Sequence, residues 1–435
     1  MLDSMDTFTT YLQHLSISSL ANTYWFLFFV EFPRYYLLDI VVLWWMSFSR
    51  RRRHRERRIA RYRLYKENPL VTILVPGKNE GKNIFKLVTS LKEQTFKNYE
   101  IVVVDDGSDD DTEIICNNLV KRNFITRYLR LVSRGGKAGA ANYGVSMSKG
   151  KYIIALDADS SLDYDCIENM LLPFYLDTQV KAVGGCIKVR NNKESICASM
   201  QALEYLKTIL VGRTVSSWLG IYHIISGACG AFEAETMRKV GCWDIGPGLD
   251  GDLTQKIRKA GYKVKFANDA ICMTNVPTKW TKLWKQRIRW SRSLVRFRIR
   301  KHSDILMPTR NWMLLNWISN MENILYDCVL NFLWVLYVIS LIFTYNEHIF
   351  EIFILGFFIR MVFAFMSWGI IMLTTERRAE EAFLIKYVPL KSLYTGYFLR
   401  ICRLVAHTQE LFFFTSYKDA WNPPKTSRYA MLYHT

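Results

Sequence analysis

Residues 99–112 read YEIVVVDDGSDDDT: a β-branched, apolar run that ends abruptly on Asp105 and Asp106, then a Gly-Ser turn and more acid. Runs of this kind are strands, and the turn residues mark where the strand stops. Two more of the same kind flank it, LVTILVP at 70–76 and KYIIALD at 151–157. Between them, residues 80–94 and 112–122 carry apolar side chains at helical spacing. Strand and helix alternating in this way predict a parallel α/β sheet. In such sheets ligands bind beyond the carboxyl ends of the strands, and that is where the polar clusters of residues 70–275 fall.

The first cluster is VPGKNE, with Pro76, Asn79 and Glu80 after the first strand. Asp105 and Asp106 follow the next, SRGGKAGAAN (133–142) brings Arg134, Lys137 and Asn142, and LDADSSLD (156–163) brings Asp157 and Asp159. Singly these are weak signals. A DDGSD run is commonly a turn with a helix cap, a lone DxD is common in surface loops, and Gly135-Gly136-Lys137 lacks the Lys-Ser/Thr ending of a P-loop. Taken together they describe a nucleotide-diphosphate site. Asp157 and Asp159 flank one small residue at a strand end, so both turn towards one point, and hard carboxylate oxygens there suit Mg²⁺ or Mn²⁺ bridging a diphosphate. Lys137 near a helix start helps hold phosphates, and Asp105 or Asp106 accepts from a base N–H or a ribose hydroxyl.

The 435 residues hold 58 Lys and Arg against 39 Asp and Glu, a net +19, and half of them are apolar. That excludes a disordered chain. The charge is concentrated: residues 50–66 (RRRRHRERRIARYRLYK) and 276–303 (VPTKWTKLWKQRIRWSRSLVRFRIRKHS) carry +9 and +10, which leaves the remainder balanced. Before the first band lies YWFLFFVEFPRYYLLDIVVLWWMSF (24–48), long enough to cross a bilayer but interrupted by Glu31, Pro33, Arg34 and Asp39, hence a bent helix or two partial ones. Nine arginines just after it place the following domain in the cytoplasm. Residues 313–343 and 349–375 read as a hairpin of two spans. The stretch 383–415 is apolar but holds Lys386, Lys391, Arg400, Arg403 and Glu410, so it reads either as a last span or as an interfacial helix. In the second band Lys282, Lys285, Arg289, Arg292, Arg296 and Arg300 form a basic stripe beside Trp280, Trp284, Ile288, Val295 and Ile299, the pattern of an interfacial amphipathic helix. Arg287 and Arg298 intrude on its apolar face and predict a bend. Both bands adjoin apolar segments and no RNA- or DNA-binding motif is present, which argues against nucleic acid as a partner. Nine cysteines without a CxxC pair read as reduced thiols.

The ordered set VPxxNE, VVDDGS, GGKAxAxN, DAD, a later Asp and QRIRW resembles the processive family-2 glycosyltransferases, the membrane-embedded synthases of cellulose, hyaluronan and poly-N-acetylglucosamine. The resemblance covers roughly residues 70–300. It implies an α/β GT-A glycosyltransferase domain with a mostly parallel sheet, joined to an α-helical transmembrane region with amphipathic interfacial helices. The implied segments are an N-terminal membrane segment (1–49), a basic linker (50–69), the catalytic domain (70–275), the interfacial region with QRIRW (276–310), C-terminal membrane helices (311–415) and a tail (416–435). It further implies that Asp105 or Asp106 contacts the uracil and ribose of a UDP-sugar, that Asp157 and Asp159 are the metal-binding DxD with Asp159 the better ligand, and that Asp250 is the general base. Gln286, Arg287, Arg289 and Trp290 are the QxxRW motif, set against nucleotide and acceptor, with Trp290 offering a ring face to a sugar.

One position departs from the pattern. Leu249 replaces the acid that precedes the family's catalytic Asp, and Asp252 follows two residues on; the downstream DLTQKI spacing favours Asp250, with Asp252 the alternative. Cys229 in GACGAF (227–232) is placed near the acceptor or in the core, and Gly184-Gly185 marks a close backbone approach. The expected enzyme sits in the plasma membrane, multi-pass, with its catalytic domain cytoplasmic. It polymerises UDP-N-acetylglucosamine or UDP-glucose into a β-linked polysaccharide and passes the product through its own spans, and a second copy or an accessory subunit completes the path. The alternatives are a single-transfer enzyme making a lipid-linked sugar and a catalytically degenerate membrane receptor or scaffold.

Overall fold

The computed structural model describes residues 16–244, 248–308 and 312–418. Residues 1–15 of the N-terminal segment and 419–435 of the tail lie outside them. The strands are β1 (Val71–Gly77), β2 (Tyr99–Asp105), β3 (Arg127–Arg130), β4 (Tyr152–Leu156), β5 (Ser161–Leu162), β6 (Val180–Val189), β7 (Cys229–Glu233) and β8 (Lys263–Thr274). They form one sheet in the order β3-β2-β1-β4-β7-β6-β8-β5. The half from β3 to β4 is parallel, as the alternation of strands and helices predicts. Beyond β4 the sheet is mixed, because β7 runs antiparallel to both β4 and β6, and β5 antiparallel to β8. The physical reason is the entry point: β7 starts where β4 ends, with Cys229 opposite Leu156. The loop leading into β7 therefore lies at the same sheet edge as the carboxyl ends of β1, β2 and β4.

Both faces of the sheet are covered, so β1 and β2 are buried almost throughout, and continuous apolar runs are what such strands need. The helices Gly81–Lys92 and Thr112–Lys121 pack on one face with Leu87, Leu91 and Leu119 turned inward. Helix Gly136–Met147 covers the other, where Gly144 lets Leu74 and Val104 approach within the space a side chain would take. The close approach at Gly184-Gly185 is packing: a Cβ at Gly184 would run into the Tyr222 hydroxyl and one at Gly185 into the Cys229 sulfur.

The N-terminal region is helical from Ile17 to Phe48, with wider π turns at Phe26–Glu31 and Pro33–Leu37. Such turns at a proline are where a helix bends. The charges that interrupt its apolar pattern each meet an opposite charge on another helix: Glu31 pairs with Arg360 and Arg400, Arg34 with Glu322, and Asp39 with Lys207. Among the described residues, the helices Leu314–Thr344 and Asn346–Thr374 are long and apolar enough to cross a membrane.

The second basic band forms a helix, Trp280–Ser293, that continues with π winding through Leu294–Lys301. The winding changes at Leu294, between the two intruding arginines. The intruding Arg287 is buried against Glu204, with Nη2 2.9 Å from Oε2, and Arg298 against Asn320 at 2.9 Å. Lys282 and Lys285 of the basic stripe are exposed, but its later residues turn to protein partners. Arg292 donates to Gln409, Arg300 pairs with Glu410, and Arg296 stacks 4.4 Å over Tyr417. Each of these guanidiniums is taken up by the helix Leu399–Phe413 or by the residues just after it. Trp280 and Trp284 pack on Phe398.

Candidate active site

Four loops converge at the sheet edge. After β1, Asn79 adopts a positive φ of 61°. Its N–H donates to the Ser108 hydroxyl (2.9 Å) and its side chain to Asp109 (2.6 Å), tying this loop to the next. Pro76 is inside β1, paired in register with Val104. After β2, Asp105 is fully buried and accepts from the Ser108 N–H (2.8 Å) and the Tyr128 hydroxyl (2.6 Å). Asp106 accepts from the N–H groups of Gly135 (2.6 Å) and Gly136 (3.0 Å). The positive φ of 75° at Gly136 is what turns both amides towards it. Both carboxylates thus build the loop frame.

Asp106 in this way places the start of helix Gly136–Met147, and with it Lys137, whose Nζ lies 2.6 Å from Asp157 Oδ1. The electrostatics show what else surrounds Lys137. Loss of surrounding water works against its charge, but Asp157 and Asp250 outweigh that and raise its pKa, while the nearby Arg289 opposes them. Asp157, Asp250 and Arg289, separated by up to 132 residues, therefore all lie within electrostatic reach of one lysine, Asp157 in direct contact with it. Asp159 faces Thr274 at 3.4 Å. Burial, then the neighbouring Asp157 charge, pushes its pKa up. Glu80 is likewise raised, by burial and by the charges of Asp159, Asp157 and Asp110.

Asp250 begins the helix Leu249–Lys259. Its Oδ1 would lie 2.5 Å from a Cβ at Gly227, so only glycine fits there. Burial raises its pKa; Lys137 and the Gly227 N–H pull it back in part. Asp252 has a different environment. It is completely buried, 2.7 Å from His302 Nε2 and 2.9 Å from Lys301 Nζ. Burial alone would raise it, but these partners and Lys256 outweigh burial and hold it at about 2. The geometry therefore separates the two aspartates: Asp250 faces the Lys137–Asp157 cluster, and Asp252 is locked in a buried ion cluster.

The QRIRW residues divide as well. Gln286 Oε1 is buried with no hydrogen-bond partner among the described residues. The Arg287 guanidinium lies 4.8 Å from the Trp290 ring and is held by Glu204, which also accepts from the Tyr394 hydroxyl at 2.6 Å. Trp290 itself is 40% exposed. A cavity of about 210 Å³ opens beside it, lined by Trp290, Arg287, His223 and Gln255 and reaching Asp327 on the apolar helix Leu314–Thr344 and Arg403 on the helix Leu399–Phe413. Cys229 does not reach the site. It is fully buried in the core, its sulfur 3.5 Å from Met170, because β7 alternates and its first side chain points into the sheet packing.

Three residues of this arrangement escape sequence reading. Arg190 holds the turn after β4, donating to the Asp159 carbonyl (3.1 Å), Ser161 Oγ (2.8 Å) and the Met273 carbonyl (2.7 Å). Glu204 anchors Arg287, and His302 anchors Asp252. None has a local motif; each is tied to the site's residues by a contact dozens of positions away.

Sheet order, loop positions and the DxD turn define the GT-A glycosyltransferase fold. The mannosyltransferase PcManGT from Pyrobaculum calidifontis, solved in complex with GDP-Man and Mn²⁺, superposes with a TM-score of 0.55 over 86% of this chain and 99% of its own, at 18% identity. Residues 72–241 match the family described as Glycosyl transferase family 2, and the chain carries a domain of that family. Poly-beta-1,6-N-acetyl-D-glucosamine synthases are similar to it: that of Staphylococcus aureus (strain COL) is 31% identical over 223 residues, 51% of this chain and 53% of the relative. That of Staphylococcus epidermidis is 30% identical over 222 residues, with the same coverage. The match spans about half the length of these curated relatives.

Proposed function

We propose that this protein is a membrane-embedded inverting glycosyltransferase that polymerises a UDP-sugar, UDP-N-acetylglucosamine before UDP-glucose, into a β-linked polysaccharide. The observation that carries the reading is the meeting of Lys137, Asp157, Asp250 and Arg289 at one sheet edge, beside a cavity that continues under Trp290. The names of the similar synthases favour N-acetylglucosamine as the sugar.

Transfer needs a group that takes the acceptor hydroxyl proton as that oxygen attacks the anomeric carbon. Asp250 fits: its raised pKa marks a carboxylate that gains from accepting a proton. The departing diphosphate needs positive charge, which Lys137 and Arg289 supply. In this reading a sugar stacks on Trp290 and presents its hydroxyl to Asp250, with Glu204 holding Arg287 against the ring. The cavity below then takes the growing chain towards the apolar helices.

A divalent cation fits the donor set. No group of three His, Cys, Asp or Glu side chains is gathered for an ion among the described residues. Mg²⁺ and Mn²⁺ in nucleotide sites, however, commonly take one or two carboxylates and fill the remaining positions with phosphate and water. Asp157 and Asp159 are such a pair: burial and then the charge of Asp157 raise Asp159, and a cation would offset both. Bound there, Mg²⁺ or Mn²⁺ would neutralise charge on the leaving diphosphate.

Membrane embedding rests on the two apolar helices, whose Leu336, Phe343, Phe350 and Leu373 are 61%, 83%, 66% and 79% exposed, and on the arginines of 50–63, which set the catalytic domain on the cytoplasmic side of the plasma membrane. A second copy or an accessory subunit completes the path. The test is UDP release from purified protein with UDP-N-acetylglucosamine, UDP-glucose, UDP-galactose and UDP-glucuronate in turn, with Mn²⁺. Release with UDP-N-acetylglucosamine supports the reading; folded protein that releases UDP from none of them is a scaffold.

A further inference from the structure

A second and larger cavity, about 1090 Å³, lies away from the catalytic edge, where the N-terminal helix turns into the basic helix Arg50–Glu67. Its walls change character along one direction. One end is apolar: Ile40, Leu43 and Trp44 from the N-terminal helix, with Ile370 and Leu373 from the helix Asn346–Thr374. The other end is cationic, with Arg50, Arg53, His54, Arg57 and Arg63. The boundary is marked by Trp44, Trp45 and Phe48, all exposed, immediately before the arginines. Aromatic residues of this kind lie at the headgroup level of a bilayer.

The charge at the cationic end is only partly balanced from within the protein. Arg57 pairs with Asp269. Two acids, Glu56 and Glu376, also line the cavity, and Glu56 is engaged by Arg52. Arg50, Arg53 and Arg63 form no direct ion pair with a carboxylate among the described residues, and Arg53 donates to the Ser49 hydroxyl. Burial and the adjacent Arg50 lower the pKa of Arg53, and the charge of Glu56 offsets them only in part. Arg51, Arg55 and Arg58, on the same helix, are exposed and do not line the cavity.

We infer that this groove is a binding site for one glycerophospholipid with a net negative headgroup, its phosphate held by Arg50 and Arg53 and its acyl chains lying along Leu43, Trp44, Ile370 and Leu373. The inference rests on the membrane reading above and adds to it a defined lipid site, distinct from diffuse attraction between a polybasic helix and the bilayer. A basic residue at a membrane surface biases association towards anionic lipid by about fivefold. With two residues closing on one headgroup, retained lipid should be enriched at least about fivefold.

The test uses the full chain reconstituted in vesicles of equimolar phosphatidylglycerol and phosphatidylcholine, re-extracted in mild detergent, with the co-purifying lipid quantified by mass spectrometry. The wild type should retain phosphatidylglycerol over phosphatidylcholine. R50Q/R53Q should lose that preference, and R51Q/R55Q, which removes the same charge from the exposed face, should keep it. Thr374→Trp, which fills the groove without touching the arginines, should also release the lipid. Equal loss in both arginine pairs, or equal retention of both lipids by the wild type, overturns the site while leaving the membrane reading in place. Protein that stays in the aqueous fraction after membranes are sedimented without detergent overturns both.

Discussion

Asp250 and Asp252 stand two residues apart on one helix, and the structure predicts opposite consequences for the same Asp→Asn change. Asp252 is completely buried and its carboxylate is shared by His302 at 2.7 Å, Lys301 at 2.9 Å and Lys256 at 3.8 Å. Its pKa is held at about 2, against about 3.9 in an unfolded chain. The folded value lies below the unfolded one, so this contribution is fully present above about pH 4 and is lost as the pH falls towards 2. A difference of that size corresponds to roughly 2–3 kcal/mol, and leaving buried cations without their anion costs about 3–5 kcal/mol. D252N should therefore lower the unfolding midpoint markedly at neutral pH while keeping transferase activity at low temperature. Asp250 pays no such stabilising role: burial raises its pKa, so neutralising it costs the fold little. D250N should leave the midpoint unchanged and cut UDP release by about 10²–10⁴-fold, the usual contribution of a general base. Tryptophan fluorescence on heating and UDP release at 20 °C read the two effects separately. The reasoning is refuted if D252N abolishes turnover at an unchanged midpoint while D250N remains active.

Gly227→Ala should reduce UDP release by about 10²-fold, the effect of displacing a reacting group by an ångström, because the new Cβ would sit 2.5 Å from Asp250 Oδ1; wild-type rates in G227A would disprove that contact. The acid limb of kcat/KM should lie above the ordinary carboxylate range of about 4, since the base works deprotonated and burial raises Asp250; a pH–rate profile reads it, and the limb should vanish from the residual activity of D250N. EDTA should abolish UDP release and Mn²⁺ or Mg²⁺ restore it in the wild type but not in D159N, measured by the same assay. Glu204→Gln should shorten the product and raise the acceptor requirement while UDP-sugar binding is unchanged, because Glu204 fixes Arg287 under Trp290; an unchanged product length would remove Glu204 from the acceptor platform.

The parallel half of the sheet and its site loops were legible because their physics is local. A β-branched run ending on Asp105 or Asp157 encodes both a buried strand and the end at which its polar residues emerge. The placement of β7 was not legible: nothing within CGAFE states that it will run antiparallel between β4 and β6, and that choice is what brings Gly227 over Asp250. In the sequence, motif spacing alone separates Asp250 from Asp252, since the burial of Asp252 against His302 and Lys301 links positions 49 and 50 residues apart. The basic stripe of 282–300 has the periodicity of a lipid-facing helix, but periodicity does not name the partner, and here Gln409, Glu410 and Tyr417 take up Arg292, Arg300 and Arg296. Cys229 was drawn towards the site by its neighbours in sequence, whereas strand alternation turns it into the core.

The size of the product decides the central claim. Membranes containing the chain, incubated with radiolabelled UDP-N-acetylglucosamine and Mn²⁺, should yield label in a high-molecular-weight polysaccharide that a β-N-acetylglucosaminidase degrades and that D250N fails to make. Label confined to a single sugar on an organic-soluble lipid would contradict polymerisation and assign the domain to single transfer.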